Sequence, residues 1–262
     1  MLINCAYQIL VNASEIASVE GGGPEHVHQL RVGLRRLRSA IALFKKFVGV
    51  DIAAWEAKAK QFAASLSGNR DIDVMTEGLW PRLRAAGAPL VELPVNDNVL
   101  PPSDLIREAA TQQWMLELLA VELQGLEKVT EGEWSLVLPF IRSWSRQCIK
   151  DALRFESFDF EQRHRLRKRL KRLRYALEFI ESELPSKGYK RCSKALTNVL
   201  NDLGEYNDLI VAIEAYRGIS EVEPREWFAI GWLMAQLSKA ERRCIKALEA
   251  FNAAKDPCNL DR

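Results

Sequence analysis

No apolar run in this chain approaches the roughly 20 residues that a membrane-spanning helix needs. The opening segment MLINCAYQILVNASEIASVE has no basic stretch ahead of its apolar residues, so no secretory leader is expected and the protein is expected in the cytoplasm. Cysteine is scarce and scattered. Cys5, Cys148, Cys192, Cys244 and Cys258 are odd in number and form no CxxC pair, which fits reduced thiols better than a disulfide framework or a zinc site. Charge of one sign is lacking too: 37 Lys and Arg stand against 35 Asp and Glu, and a net +2 by itself names no partner. No stretch alternates convincingly like a strand. A Walker loop, an HD-type His/Asp set and a recognised nucleic-acid reading motif are all missing, which argues against phosphate-hydrolysing enzymes and sequence-reading DNA binders.

What is present is enough apolar material for a core. An apolar fraction of 48% with seven tryptophans excludes wholesale disorder. Helical periodicity predicts eight helices, near 2–20, 25–48, 52–79, 103–127, 133–154, 159–183, 188–217 and 224–254. GGGP at 21–24 ends the first and sets Pro24 in the first turn of the second, where a missing N–H does no harm. Asp159 and Gln162 form a capping-box pattern ahead of the sixth. Pro185 and Gly188 separate the sixth from the seventh, and Pro224 opens the eighth. The segment 85–103 is expected to be an ordered loop or linker, with LVELPV its one strand-like piece.

An internal repeat carries more information. HQLRVGLRRLRSAI (28–41) aligns without a gap with HRLRKRLKRLRYAL (164–177). LSGNRDIDV (66–74) aligns with LGEYNDLIV (203–211), pairing Leu66 with Leu203 and Asp71 with Asp208 at an offset one residue larger. Each half thus runs from a basic helix to a long helix ending in L-x-x-x-[RN]-D. Duplication of a four-helix unit explains the count of eight, so the expected fold is all-α, one domain over 1–262 with repeat halves 1–130 and 131–262.

On a helical wheel, Leu30, Leu34, Leu37, Ile41 and Phe44 make the core stripe of the second helix, and His28, Arg31, Arg35 and Arg38 fill the neighbouring sector, with Lys45 further along. The sixth helix repeats this, with Leu166, Leu170, Leu173 and Leu177 as stripe and His164, Arg167, Lys171 and Arg174 beside it. Like charges at such spacings repel by a few tenths of a kcal/mol per pair, so the arrangement calls for a compensating anion. Acids of neighbouring helices would serve, Glu178 among them, and so would an external polyanion bound by arginine forks and lysine point charges. Lys58 on the third helix, Arg142, Arg146 and Lys150 on the fifth, and Lys190 and Lys194 on the seventh are candidates to extend the basic surface. The first helix contributes no Lys or Arg.

The two motifs H-Q-L-R-V-G-L-R-R-L-R and H-R-L-R-K-R-L-K-R-L-R-Y-A-L-E, each followed by L-[SG]-x-x-[RN]-D, resemble the two halves of a CHAD domain (conserved histidine α-helical domain), and the resemblance spans nearly the whole chain. It implies two four-helix bundles related by a pseudo-twofold with a basic groove between or along them, binding of inorganic polyphosphate there without catalysis or cofactor, association with polyphosphate granules, and a stand-alone member with no fused triphosphatase. Carried over by position, the anion-binding residues are His28, Arg31, Arg35, Arg38, His164, Arg167, Lys171 and Arg174. Ser67 departs from the family pattern, which has glycine where the second half has Gly204.

Blander readings stand beside these. His26, which has no counterpart, and Arg36, Arg165, Arg169 and Arg172, which leave the shared sector, are expected at the surface or in internal ion pairs. Asp71, Asp73 and Asp208 are expected to cap or salt-bridge the basic helices, and the tryptophans to pack inside. A nucleic-acid binder is the alternative function, and a phosphate-hydrolysing enzyme the next.

Overall fold

The computed structural model describes residues 2–18, 21–45, 53–66, 78–88, 100–123, 134–220 and 227–254. Every regular element among them is helical, as the periodicity predicts. Ten α-helices are described: α1 (Leu2–Ala17), α2 (Pro24–Phe44), α3 (Ala53–Ser65), α4 (Trp80–Ala85), α5 (Pro102–Arg107), α6 (Ala109–Leu123), α7 (Trp134–Ala152), α8 (Phe160–Phe179), α9 (Ser186–Ser220) and α10 (Trp227–Ala253). Short 3-10 turns at Phe155–Ser157 and Glu181–Glu183 flank α8.

The chain divides into two compact units. The first holds 1–70 and 96–137, the second 71–95 and 138–262. These differ from halves cut at 130 mainly in 71–95, whose helix α4 joins the second unit: Arg82 pairs with Glu205 of α9 at 3.3 Å and lies over the Trp232 ring of α10 at 5.6 Å.

In the first unit α2 starts with Pro24 in its first turn behind Gly23, as expected from GGGP. It packs on α1 and on α3. The close approach to α1 is set by Gly33: a Cβ there would stand 2.9 Å from Ile9 Cγ1 and 3.3 Å from Ile9 N. Trp114 of α6 is fully buried, with Phe62 of α3 edge-on at 6.1 Å. The expected helix over 103–127 is broken at Glu108, whose ψ of 134° is extended. The break frees a backbone carbonyl at Ile106, and the Gln112 side chain meets it at 2.7 Å, so the interruption leaves that acceptor paired.

In the second unit Asp159 caps α8 in full. Its side chain accepts from Gln162 N at 2.7 Å, while Gln162 Oε1 accepts from Asp159 N at 2.9 Å. α9 begins at Ser186, directly after Pro185, and runs 35 residues, absorbing Gly188 into its first turn. It lies along α10 and against α8, burying Leu196, Val199, Leu203, Tyr206 and Ile213 at helical spacing. Pro224, LVELPV, Ser67, Asp71 and Asp73 lie outside the described residues.

Candidate functional site

The basic residues of α8 sort by flank. His164, Arg167, Lys171 and Arg174 are half-buried, whereas Arg165, Lys168, Arg169 and Arg172 are exposed. The half-buried set forms one line beside the buried Leu166, Leu170, Leu173 and Leu177, because positions three or four apart recur on one side of a helix. That line faces α9. His164 Nδ1 is 2.8 Å from Asn207 Oδ1, and a Cβ on Gly204 would stand 3.5 Å from Arg167 Nη2. Arg174 Nε is 3.3 Å from Glu178, the neutralising acid anticipated on the same line.

The exposed flank faces α7 instead. Arg169 forms an ion pair with the buried Asp151, which also accepts from Gln147 at 2.7 Å, and Arg172 stacks over Trp144 at 5.1 Å. These are the internal pairings expected for residues outside the sector. They also put α7 on the flank of α8 away from α9, so Arg142 (half-buried), Arg146 and Lys150 (exposed) do not join the line that faces α9. Lys190 and Lys194 are exposed on the first turns of α9.

Three acids of α9 and α10 are paired with arginines outside this line. Arg243 reaches Asp202 at 3.5 Å and Glu205 at 2.5 Å, Arg82 shares Glu205, and Glu241 holds Arg163 at 2.6 Å. Burial holds the His164 imidazolium below its usual range. The Asn207 hydrogen bond opposes that shift, and Lys168 and Arg167 add to it.

In the first unit Arg31, Arg35 and Arg38 are half-buried beside the buried Leu30, Leu34, Leu37 and Ile41, while His28 and Lys45 are exposed. Arg31 Nη1 donates to the carbonyl of Leu66, just past the end of α3, where helix carbonyls lack an intrahelical donor. Leu66 matches Leu203, the neighbour of Gly204. The matched arginines 31 and 167 therefore each reach the L-[SG] step of the long helix in their own unit. Arg35 Nε donates to its own helix at Arg31 O, 3.2 Å. Lys58 is paired with Glu117 of α6 at 2.7 Å, so its charge is met inside the unit.

The family profile described as "CHAD domain" matches residues 2–217. The chain belongs to the CHAD domain family. A crystal structure of the CHAD domain from the plant Ricinus communis is similar to it over 98% of this chain and 90% of that one, with a TM-score of 0.79 and 29% identity. Among curated proteins none matches. The profile stops short of α10, while the structural likeness extends over nearly the whole chain.

Three features of this CHAD domain differ from what its motifs suggest. His26 is half-buried, with Nδ1 enclosed and unbonded, and Arg36 is half-buried as well. Asp208, expected to salt-bridge the basic helix, makes no ion pair among the described residues; Asn207, about 100° round α9 from it, supplies the contact to α8. Trp227 is 61% exposed rather than packed inside.

The motif reading also passed over Arg163. Its guanidinium is 11% exposed, donates to Tyr206 Oη at 2.6 Å, pairs with Glu241, and lies 4.5 Å from the Phe155 ring centroid and 5.3 Å from that of Tyr206. Burial works against its charge, and Tyr206 and Glu241 outweigh burial, so the group is held firmly as a cation. The available signal was its position one residue before His164, off the repeated sector. Among the described residues no three His, Cys, Asp or Glu are grouped to hold a metal ion, and no helix is long and apolar enough to cross a membrane.

Proposed function

We propose that this CHAD domain binds inorganic polyphosphate, without catalysis, along the basic lines of α2 and α8, and acts in the cytoplasm at polyphosphate granules. One observation carries the reading. Arg31, Arg35, Arg38, Arg167, Lys171 and Arg174 stand half-buried at matched positions beside the core stripe of α2 and of α8, one cationic line repeated in each unit. A line of cations so placed gains from an anion with a charge at every step, which a linear polyphosphate supplies. Arginine meets its oxygens with two parallel hydrogen bonds and lysine with a point charge. The family resemblance of the two motifs supports the same ligand. His28, Arg31, Arg35, Arg38, His164, Arg167, Lys171 and Arg174 are assigned as its contacts, with the exposed Lys45, Lys190 and Lys194 as flanking charges.

The test is calorimetric titration with long-chain polyphosphate in magnesium-free buffer at two salt concentrations. Submicromolar binding is expected, weakening steeply with salt as counterions are released, and not reproduced by orthophosphate. Arg35→Glu with Lys171→Glu should abolish it while circular dichroism stays unchanged; Arg31 is left alone because it holds Leu66. Binding that persists in the folded double variant overturns the assignment of these lines. Equal affinity for DNA at matched salt would favour the nucleic-acid reading, and phosphate release from polyphosphate on adding magnesium the enzymatic one.

A further inference from the structure

Two contacts fix how α8 and α9 face each other. His164 meets Asn207 at 2.8 Å, and Arg167, three positions on, lies against Gly204, three positions back. The helices therefore run antiparallel, and the next steps of the same register set Lys171 level with Leu200 and Asn201, and Arg174 level with Thr197. The pairing persists beyond Arg174, since the Tyr189 phenol of α9 has both Glu178 of α8 and Ser193 as neighbours. Leu200 is buried, whereas Thr197 and Asn201 are exposed. With Gly204 on one side and the exposed Lys194 and Lys190 on the other, these two recur every three or four positions and make one row on α9. The row borders the basic line of α8 on the solvent side of the groove. Between Lys194 and Asp208 it is uncharged, holding a hydroxyl, an amide and a bare backbone. Thr197 Oγ1 already donates to Ser193 O at 2.9 Å. The Asn201 amide makes no hydrogen bond among the described residues, so both of its N–H donors are open to a ligand.

We propose that Asn201 is a further polyphosphate contact, an amide donor on the α9 wall across the groove from Lys171; the inference rests on the polyphosphate reading of the α8 line. Packed helix axes lie about 8–10 Å apart, so one phosphate chain lying over the groove is within side-chain reach of both walls. Another cation at this level would repel Lys171 and Arg174 whenever the groove is empty. An amide donates to the phosphate oxygens that fall between cations and adds no charge of its own. Hydrogen bonds to ionised oxygens are the stronger kind, so a single neutral donor here carries a measurable share of the affinity. It also adds a geometric demand that charge alone lacks, because an N–H must find an oxygen at about 3 Å. Asn201 thus helps to set where along α8 the chain is seated, while the cations supply the attraction.

The experiment is calorimetric titration of the full chain with long-chain polyphosphate across a series of salt concentrations. Asn201→Ala should bind about fivefold more weakly than the wild type with the same salt dependence, because a neutral contact releases no counterion. Lys171→Ala should lose affinity and also lower the log–log salt slope by about one. Asn198→Ala, on the same exposed side of α9 but turned further from α8, should match the wild type. Thermal melts of both asparagine variants should not fall, since alanine is the better helix former. A wild type that binds no polyphosphate overturns the reading of the α8 line and this inference with it. A wild type that binds while Asn201→Ala matches it overturns this inference alone, and so does an equal loss in Asn198→Ala.

Discussion

His164 Nδ1 stands 2.8 Å from the side-chain oxygen of Asn207. An amide oxygen can only accept, so Nδ1 carries the proton and Nε2 is the nitrogen that titrates. The side chain that fixes the tautomer comes from α9, one residue before the aspartate that the repeat pairs with Asp71.

This pair predicts opposite pH trends for stability and for binding. Burial keeps the folded-state pKa of His164 below the unfolded value of about 6.5. In the window between the two values the unfolded chain holds a proton that the folded chain lacks. The stability that depends on neutral His164 is therefore complete above about pH 6.5 and declines as pH falls through that window to the folded value. Denaturant midpoints should drop from pH 7.5 to pH 5.5, and His164→Gln should flatten the drop. Polyphosphate beside the ring favours the imidazolium, so its affinity should rise over the same interval, by at most about tenfold per pH unit for one proton. A titration repeated in buffers of different ionisation enthalpy should show less proton uptake in His164→Gln than in the wild type.

The Arg169–Asp151 pair predicts a strongly non-additive mutant cycle. Asp151 is 6% exposed, and apart from Arg169 it accepts from Gln147. Arg169→Ala strands a buried carboxylate and should cost about 2 kcal/mol, below the usual range for a fully buried pair because Arg169 itself is half-exposed. Adding Asp151→Asn should restore at least about half of that loss, measured by urea unfolding. Polyphosphate affinity should stay within about threefold of wild type in both variants, because this pair faces α7 rather than α9.

Two thiols should be inert. Burial raises Cys148 to about 12, with Asp151 adding to the shift, and burial with Asp202 raises Cys244 to about 12. Thiolate is the reactive form, and at neutral pH it is then far below one part in a thousand. Iodoacetamide at about pH 7.5 should leave both unmodified in the native chain and alkylate both in strong guanidinium, as mapped by peptide mass spectrometry.

Much of this was legible in the sequence because local chemistry decided it. Pro24 and the Asp159–Gln162 box set helix starts by rules that involve a few neighbouring residues. The cationic sectors follow from period alone, and the half-buried side of α8 is the one that period picks out. The break at Glu108 was not legible: no Pro or Gly marks it, and it depends on a carbonyl that Gln112 repairs after the chain has bent. The repeat also conceals a difference. Gly33 aligns with Arg169, and both face the preceding helix of their own unit, one by letting Ile9 close in and the other by gripping Asp151. A shared position was kept, but its chemistry changed from contact to charge, and alignment alone cannot say which. Trp227 misled for a related reason: composition sends tryptophan inward, and only the placement of α10 shows which side of the helix has a neighbour.

The Arg163 clasp has a consequence in time rather than in energy. It ties Arg163 to partners 8, 43 and 78 positions away in sequence, in the 3-10 turn, in α9 and in α10. Contacts of such long separation close only after the intervening chain has been ordered, whereas the turns of α8 and α9 form locally and early. Interactions made after the folding barrier leave the refolding rate nearly untouched and slow the escape from the native state. Arg163 thus governs how long the second unit stays folded once formed, more than how quickly it forms.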